Sequence, residues 1–153
     1  MRTPAPAAAL ATAGLVVAVD QATKQLAISG IERGDHEDVF FGLGLTNARN
    51  TGVAFGVLEG GGAIVGILIG VSLALLVAYF VVNRAMPWLW LPVGLLLGGA
   101  LGNLADRARE GAVIDFIDPV AWPAFNVADA CIVIGVAGLL YVVEGRDRRA
   151  RKT

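Results

Sequence analysis

The chain has 153 residues, 56% of them hydrophobic and 16% charged, with a formal net charge of −1 and a mean hydropathy of +0.69. That length fits one domain, and a charged fraction well under the ~25% of soluble domains points to a membrane protein. The near-neutral balance excludes the basic field of a nucleic-acid binder. A single cysteine, Cys131, excludes an internal disulfide framework, and a single histidine, His36, leaves no zinc site.

Residues 5–26 form the first apolar segment. Arg2 precedes it as in a signal peptide, but the run is long enough to span a bilayer and ends on Asp20 and Lys24 rather than a cleavage site, so a retained helix is expected. The i, i+4 order of Asp20 and Lys24 is the favourable one for a salt bridge, which could snorkel at the outer end of this helix. Charge inside a membrane segment is otherwise a mark of function.

A polar connection follows. Residues 39–47 alternate, with Val39, Phe41, Leu43 and Leu45 on one side and Gly42, Gly44 and Thr46 on the other, which predicts one strand with a buried face. Asn50, Gly52 and Gly56 supply turn chemistry, and residues 50–56 are placed where a lid could close. The outer β and loop region is expected over about 31–58.

Residues 60–83 contain no charge, and a hydrocarbon core of about 30 Å needs roughly 20 helical residues. A third segment is expected over 87–105, with Trp88 and Trp90 at its interfacial end, and a fourth over 126–143. Lys and Arg are in modest excess on the side holding Arg2, Arg84, Arg146, Arg148, Arg149, Arg151 and Lys152, which places both termini in the cytoplasm and the two polar connections outside.

The chemistry concentrates between Gly98 and Asp129. Gly99, Asn103 and Arg107 share one helix face. Helix packing with a snorkelling arginine explains that stripe in one way; a polar strip descending into the bundle explains it in another. Gly98 and Gly102 form a small-xxx-small pair for close helix approach. Asp115 lies between Ile114 and Phe116, and apolar surroundings raise a carboxyl pKa. Asn126 suits an N-cap, and Asp129 in the following first turn suits the helix dipole. Capping accounts for Asp129 but not for Asp115 at a similar depth on the same side. Two carboxyls close together share a proton, so one serves as base and the other as acid. Such a pair hydrolyses a peptide without nucleophile or metal. Asp106 and Asp118 are rivals, read as solvated loop residues. A proton-coupled transporter is the rival function, but the inner halves, residues 87–97 and 135–143, carry no ionisable group for a through-path.

VDQATK (19–24), NTGVAFG (50–56), GGALGNLADR (98–107), VIDFI (113–117) and FNVADACI (125–132) resemble, in order, the motif blocks of lipoprotein signal peptidase, or signal peptidase II. The resemblance implies a bacterial inner-membrane aspartyl endopeptidase that cuts prolipoproteins just before a diacylglyceryl-modified cysteine. A monomer among membrane lipids is expected, with no cofactor, metal or nucleic-acid partner. It implies Asp115 and Asp129 as the catalytic dyad. It places Asp20, Lys24, Asn50, Gly52, Gly99, Asn103, Arg107, Asn126 and Ala128 around the site. The four apolar segments predict a four-transmembrane-helix bundle, an all-α membrane protein in a single domain spanning residues 1–153, and the resemblance further implies a small extracytoplasmic β-cradle. Ala22 and Ala105 fall in variable slots of these motifs, and Asp118-Pro119 adds a charge near the first catalytic motif.

Overall fold

The computed structural model describes residues 5–52 and 62–150, with side chains described for all of these except 62–65 and 147–150. Its elements in order are α1 (Ala5–Gly30), β1 (His36–Phe40), β2 (Leu43–Asn50), α2 (Gly62–Val82), α3 (Trp90–Glu110), β3 (Val113–Pro119) and α4 (Val127–Ala150). The proposed lid, from residue 53 on, lies outside the described residues.

The third helix is the hub. It packs against α1, α4 and α2, and glycines set how closely. A Cβ on Gly98 would sit 2.6 Å from the Val16 side chain and 2.8 Å from the Ala13 carbonyl, and one on Gly94 would sit 2.8 Å from the Ala9 carbonyl. The Gly94-Gly98-Gly102 row therefore receives α1. Gly99, on the other side of α3, receives α4, where its Cβ would fall 2.5 Å from the Ala128 carbonyl oxygen. An apolar cluster of Ala9, Phe80, Leu89 and Val93 is also buried among the helices.

The pattern of exposure is inverted relative to a water-soluble bundle. Leu10, Leu15, Leu26, Ile67, Leu75, Val82, Val133 and Ile134 face outward, while Asp20, Lys24, Asn103, Asp106 and Asn126 are buried. Large apolar side chains all around the outside with charge within is the arrangement expected of helices solvated by lipid. Among the described residues, Ala5–Gly30 and Val127–Arg146 are long and apolar enough to cross a membrane, and Gly66–Val82 is a shorter apolar stretch.

Three helices run past their expected ends. The first continues to Gly30, α3 to Glu110 and α4 to Ala150, because the polarity that marks the edge of lipid does not end a hydrogen-bonded helix. What ends α3 is Gly111, in the left-handed region at φ 71°, whose N–H returns to the Arg107 carbonyl. At the other end of α3, Trp88 has φ 65° and keeps residues 87–89 out of the helix that Pro87 was expected to open.

The single strand expected over 39–47 is instead a hairpin. Phe41 (φ 29°) and Gly42 (φ 82°) turn the chain between Phe40 and Leu43, and positive φ at both central residues is the geometry that matches strand twist. The buried-face expectation is overturned as well. Gly44 and Thr46 are buried, Leu43 is exposed, and Phe41 is 95% exposed. A third strand, β3, completes an antiparallel sheet in the order β1-β2-β3. Pairing of β2 with β3 sets Ala48 beside Asp115 and Asn50 beside Val113. The chain then folds back, with the Phe125 carbonyl accepting from the Phe116 and Ile117 amides at 3.1 and 2.9 Å. That return delivers Asn126 to the flank of Asp115.

Candidate active site

The site forms where β3 meets the first turn of α4. Asp115 is 2% exposed. Its Oδ2 accepts a hydrogen bond from Asn50 Nδ2 at 3.0 Å and its Oδ1 one from Asn126 Nδ2 at 2.8 Å. Burial pushes its carboxyl above the ordinary carboxylate range; the Asn50 hydrogen bond opposes this, and the neighbouring Asp129 charge adds to it.

Asp129 occupies the first turn of α4. Its Oδ2 accepts from the Asn126 backbone N–H at 3.3 Å, while the Asp129 N–H donates to Asn126 Oδ1 at 2.9 Å. These reciprocal bonds form a capping box, so the helix-start reading of Asn126 and Asp129 holds as local structure. The same asparagine also reaches the other acid. Its Nδ2 lies 2.8 Å from Asp115 Oδ1, 3.1 Å from Asn103 Oδ1 and 3.2 Å from the Ile114 carbonyl. One residue thus touches both carboxyls. On the far side, Asn103 Nδ2 donates to Asp129 Oδ1 at 2.8 Å.

The remaining expected residues fall around this pair. Asn50 makes both its turn and its site contact, since Oδ1 accepts from the Gly52 N–H at 2.8 Å while Nδ2 holds Asp115. Gly52 (φ 77°) lies under Arg107, whose Nη2 would be 3.4 Å from an added Cβ. The Arg107 Nη1 donates weakly to the Asn103 carbonyl at 3.4 Å, and its buried Nε has no hydrogen-bond partner among the described residues. Asp20 Oδ1 accepts from the Ala128 N–H at 2.9 Å, a bond that satisfies one of the open donors at the start of α4 from another helix.

Asp20 and Lys24 do pair, at 2.8 Å, but not as a snorkelled bridge: both are fully buried. Between them and the aspartates lies a residue that sequence reasoning placed wrongly. Asp106, expected in a solvated loop, sits in α3 at 1% exposure and binds Lys24 at 2.7 Å. Its place at i+3 from Asn103, with a buried lysine needing counterions, was the available signal. Gln21, also overlooked, donates to Asp106 at 2.9 Å. Asp118 is part-exposed and bonds His36 Nδ1 at 2.8 Å instead of joining the carboxyl pair.

Two carboxyls bridged by one asparagine, one of them buried with its charged form disfavoured, are an arrangement that can supply a general acid and a general base, as an aspartic peptidase requires. The apolar helices around them make that a peptidase of the membrane. The family model of Signal peptidase (SPase) II matches residues 12–143. Curated lipoprotein signal peptidases are similar along most of their length. That of Moorella thermoacetica is 42% identical, covering 80% of this chain and 83% of the relative. That of Halothermothrix orenii is 38% identical, with 82% and 88% covered, and that of Syntrophus aciditrophicus is 39% identical, with 94% and 95% covered. A bacterial membrane enzyme solved by the in meso method at 1.9 Å superposes with a TM-score of 0.80 at 34% identity, covering 88% of this chain and 91% of that one. The chain belongs to the signal peptidase II family.

Proposed function

We propose that this membrane peptidase removes signal peptides from diacylglyceryl-modified prolipoproteins with Asp115 and Asp129 as its catalytic pair. The observation that carries the assignment is Asn126, which bonds both carboxyls and so holds them to a common substrate. Burial disfavours the charged form of Asp115 and suits it to act as the acid, polarising the scissile carbonyl. Asp129, as the base, takes a proton from water as the oxygen attacks that carbonyl carbon. Collapse of the tetrahedral species breaks the C–N bond, and the departing amine leaves with a proton returned by the pair. Asn103 and Arg107 shape the field, and the Arg107 Nε, without a hydrogen-bond partner among the described residues, is a buried donor on the guanidinium that lies over Gly52.

The topology follows from the charge distribution. The four helices span the bilayer as a single domain with both termini cytoplasmic, the sheet lies outside, and the acyl chains of the substrate stay in lipid while its cleavage site reaches the interface. The enzyme acts as a monomer. The test is turnover of a lipidated precursor by Asp115→Asn and Asp129→Asn variants in phospholipid vesicles. Each should lose activity by about a thousandfold or more, with thermal unfolding still cooperative. Near-normal cleavage by either variant removes that residue from the chemistry.

A further inference from the structure

The buried lysine is the key to a second layer of the site. An ammonium has three donors, and all three of Lys24 are used: on Asp20 at 2.8 Å, Asp106 at 2.7 Å and the Asn103 side-chain oxygen at 3.0 Å. Asn103 is thereby fixed. With its oxygen committed to Lys24 and to Asn126 Nδ2, its NH₂ is left to face Asp129. Asp106 in turn holds more than the lysine. Its Oδ2 accepts from the backbone N–H of Ile114 at 3.2 Å, the residue immediately before Asp115. Its Oδ1 is held by Gln21 Nε2 at 2.9 Å, and the Arg109 guanidinium stands 3.8 Å off.

We propose that Asp106 is a positioning residue that anchors both members of the catalytic pair, Asp129 through Lys24 and Asn103, and Asp115 through the Ile114 amide. The proposal rests on the assignment of Asp115 and Asp129 as that pair. One buried carboxylate on α3 ties together α1, β3 and, through Asn103, α4, which are the elements that must stay in register for the two acids to act on one bond. Removing its charge leaves Lys24 without one of its two counterions and frees Asn103 to rotate. Such a loss acts on the geometry of reaction more than on the docking of a lipid-anchored substrate.

The test is steady-state kinetics on a lipidated precursor in phospholipid vesicles, with Asp106→Asn, Asn103→Ala, the double variant, and Asp115→Asn and Asp129→Asn in parallel. Displacement of catalytic groups by about 1 Å costs on the order of 100-fold, so Asp106→Asn should lower kcat by about that factor and leave KM within about threefold. Because Asp106 acts partly through Asn103, the double variant should lose less than the product of the two single losses. A residue that only stabilises the bundle would instead reduce the folded fraction and leave kcat per folded molecule unchanged. Gln21→Met, which removes the 2.9 Å donor to Asp106 along with longer bonds to Asp20 and the Gly102 carbonyl, both 3.2 Å, and keeps all charges, should lower kcat by a smaller factor, and it decides the matter if Asp106→Asn fails to fold. Unchanged kcat, a loss confined to KM, or fully multiplicative losses with Asn103→Ala would overturn the proposal. If Asp115→Asn and Asp129→Asn are inactive while Asp106→Asn turns over normally, only the anchoring role fails. If those two variants remain active, the pair itself is misassigned.

Discussion

Adding one methyl group at Gly99 should cripple the enzyme without touching a carboxyl. The Cβ of Gly99→Ala would lie 2.5 Å from the Ala128 carbonyl oxygen and 2.7 Å from Ile132 Cγ1, whereas ordinary contact begins at 3.4 Å. Ile132 can rotate away. The Ala128 carbonyl is backbone within the first turn of α4, so the helix itself must retreat, by about 1 Å, to relieve the overlap. Asp129 is the next residue and moves with it. The Asn103–Asp129 hydrogen bond, now 2.8 Å, would then stretch past the ~3.5 Å at which such a bond ceases to count. Overpacking of this kind costs about 1–3 kcal/mol of stability, and a misplacement of about 1 Å at a reacting group costs on the order of 100-fold in rate. Turnover of a lipidated precursor and thermal unfolding, both in the same detergent, measure the two effects. Gly14→Ala is the control, because a Cβ there meets nothing within 4 Å. If Gly99→Ala keeps kcat within about threefold of the parent, α4 is not held by this contact and the reasoning from helix spacing to rate is refuted.

Three further outcomes follow from the same structure. Burial raises the Asp115 pKa above its ordinary value, so its ionisation costs stability; that stability is present below the unfolded-state pKa and falls as pH rises through the folded one. Asp115→Asn should therefore flatten this part of the pH–stability curve and melt higher than the parent above the folded pKa, and equal melting curves across pH would contradict the assigned burial effect. The His36 pKa is raised by its hydrogen bonds to Asp38 and Asp118. The clamp it forms between β1 and β3 should be strongest below the ordinary histidine pKa of about 6.5 and fade as pH rises through the raised value. A parent-minus-His36→Gln difference in melting temperature that grows with pH would have the wrong sign. Since two carboxyls suffice for the proposed hydrolysis, chelators should leave turnover unchanged, and strong inhibition by them would point to a metal in the reaction.

Much of this molecule could be read along the chain because its solvent preference is local. A run such as residues 60–83 declares itself apolar residue by residue, and each of the four apolar segments does contain a helix. Asp115 was equally visible, because a carboxyl among Val113, Ile114, Phe116 and Ile117 stands out against its own neighbours. The strand pattern misled for a physical reason. Period-two alternation across residues 39–47 does not say where the chain reverses, and it was the positive φ of Phe41 and Gly42 that turned one strand into two.

What tertiary structure alone decided is how the polar groups are shared. The sequence marks Asp20, Lys24, Asn103 and Asp106 as polar, yet whether each meets water or a partner depends on how closely α1 and α4 approach α3, and that approach is set by the glycines between them. At that spacing Lys24 reaches Asp106, Asp20 reaches the start of α4, and Asn103 is turned toward Asp129. Composition and order determined which residues are apolar and which can carry a proton. Helix-to-helix distance determined which of those proton carriers are buried, paired and aimed at one another, because hydrogen bonds and ion pairs fail over an ångström that no local pattern of residues encodes.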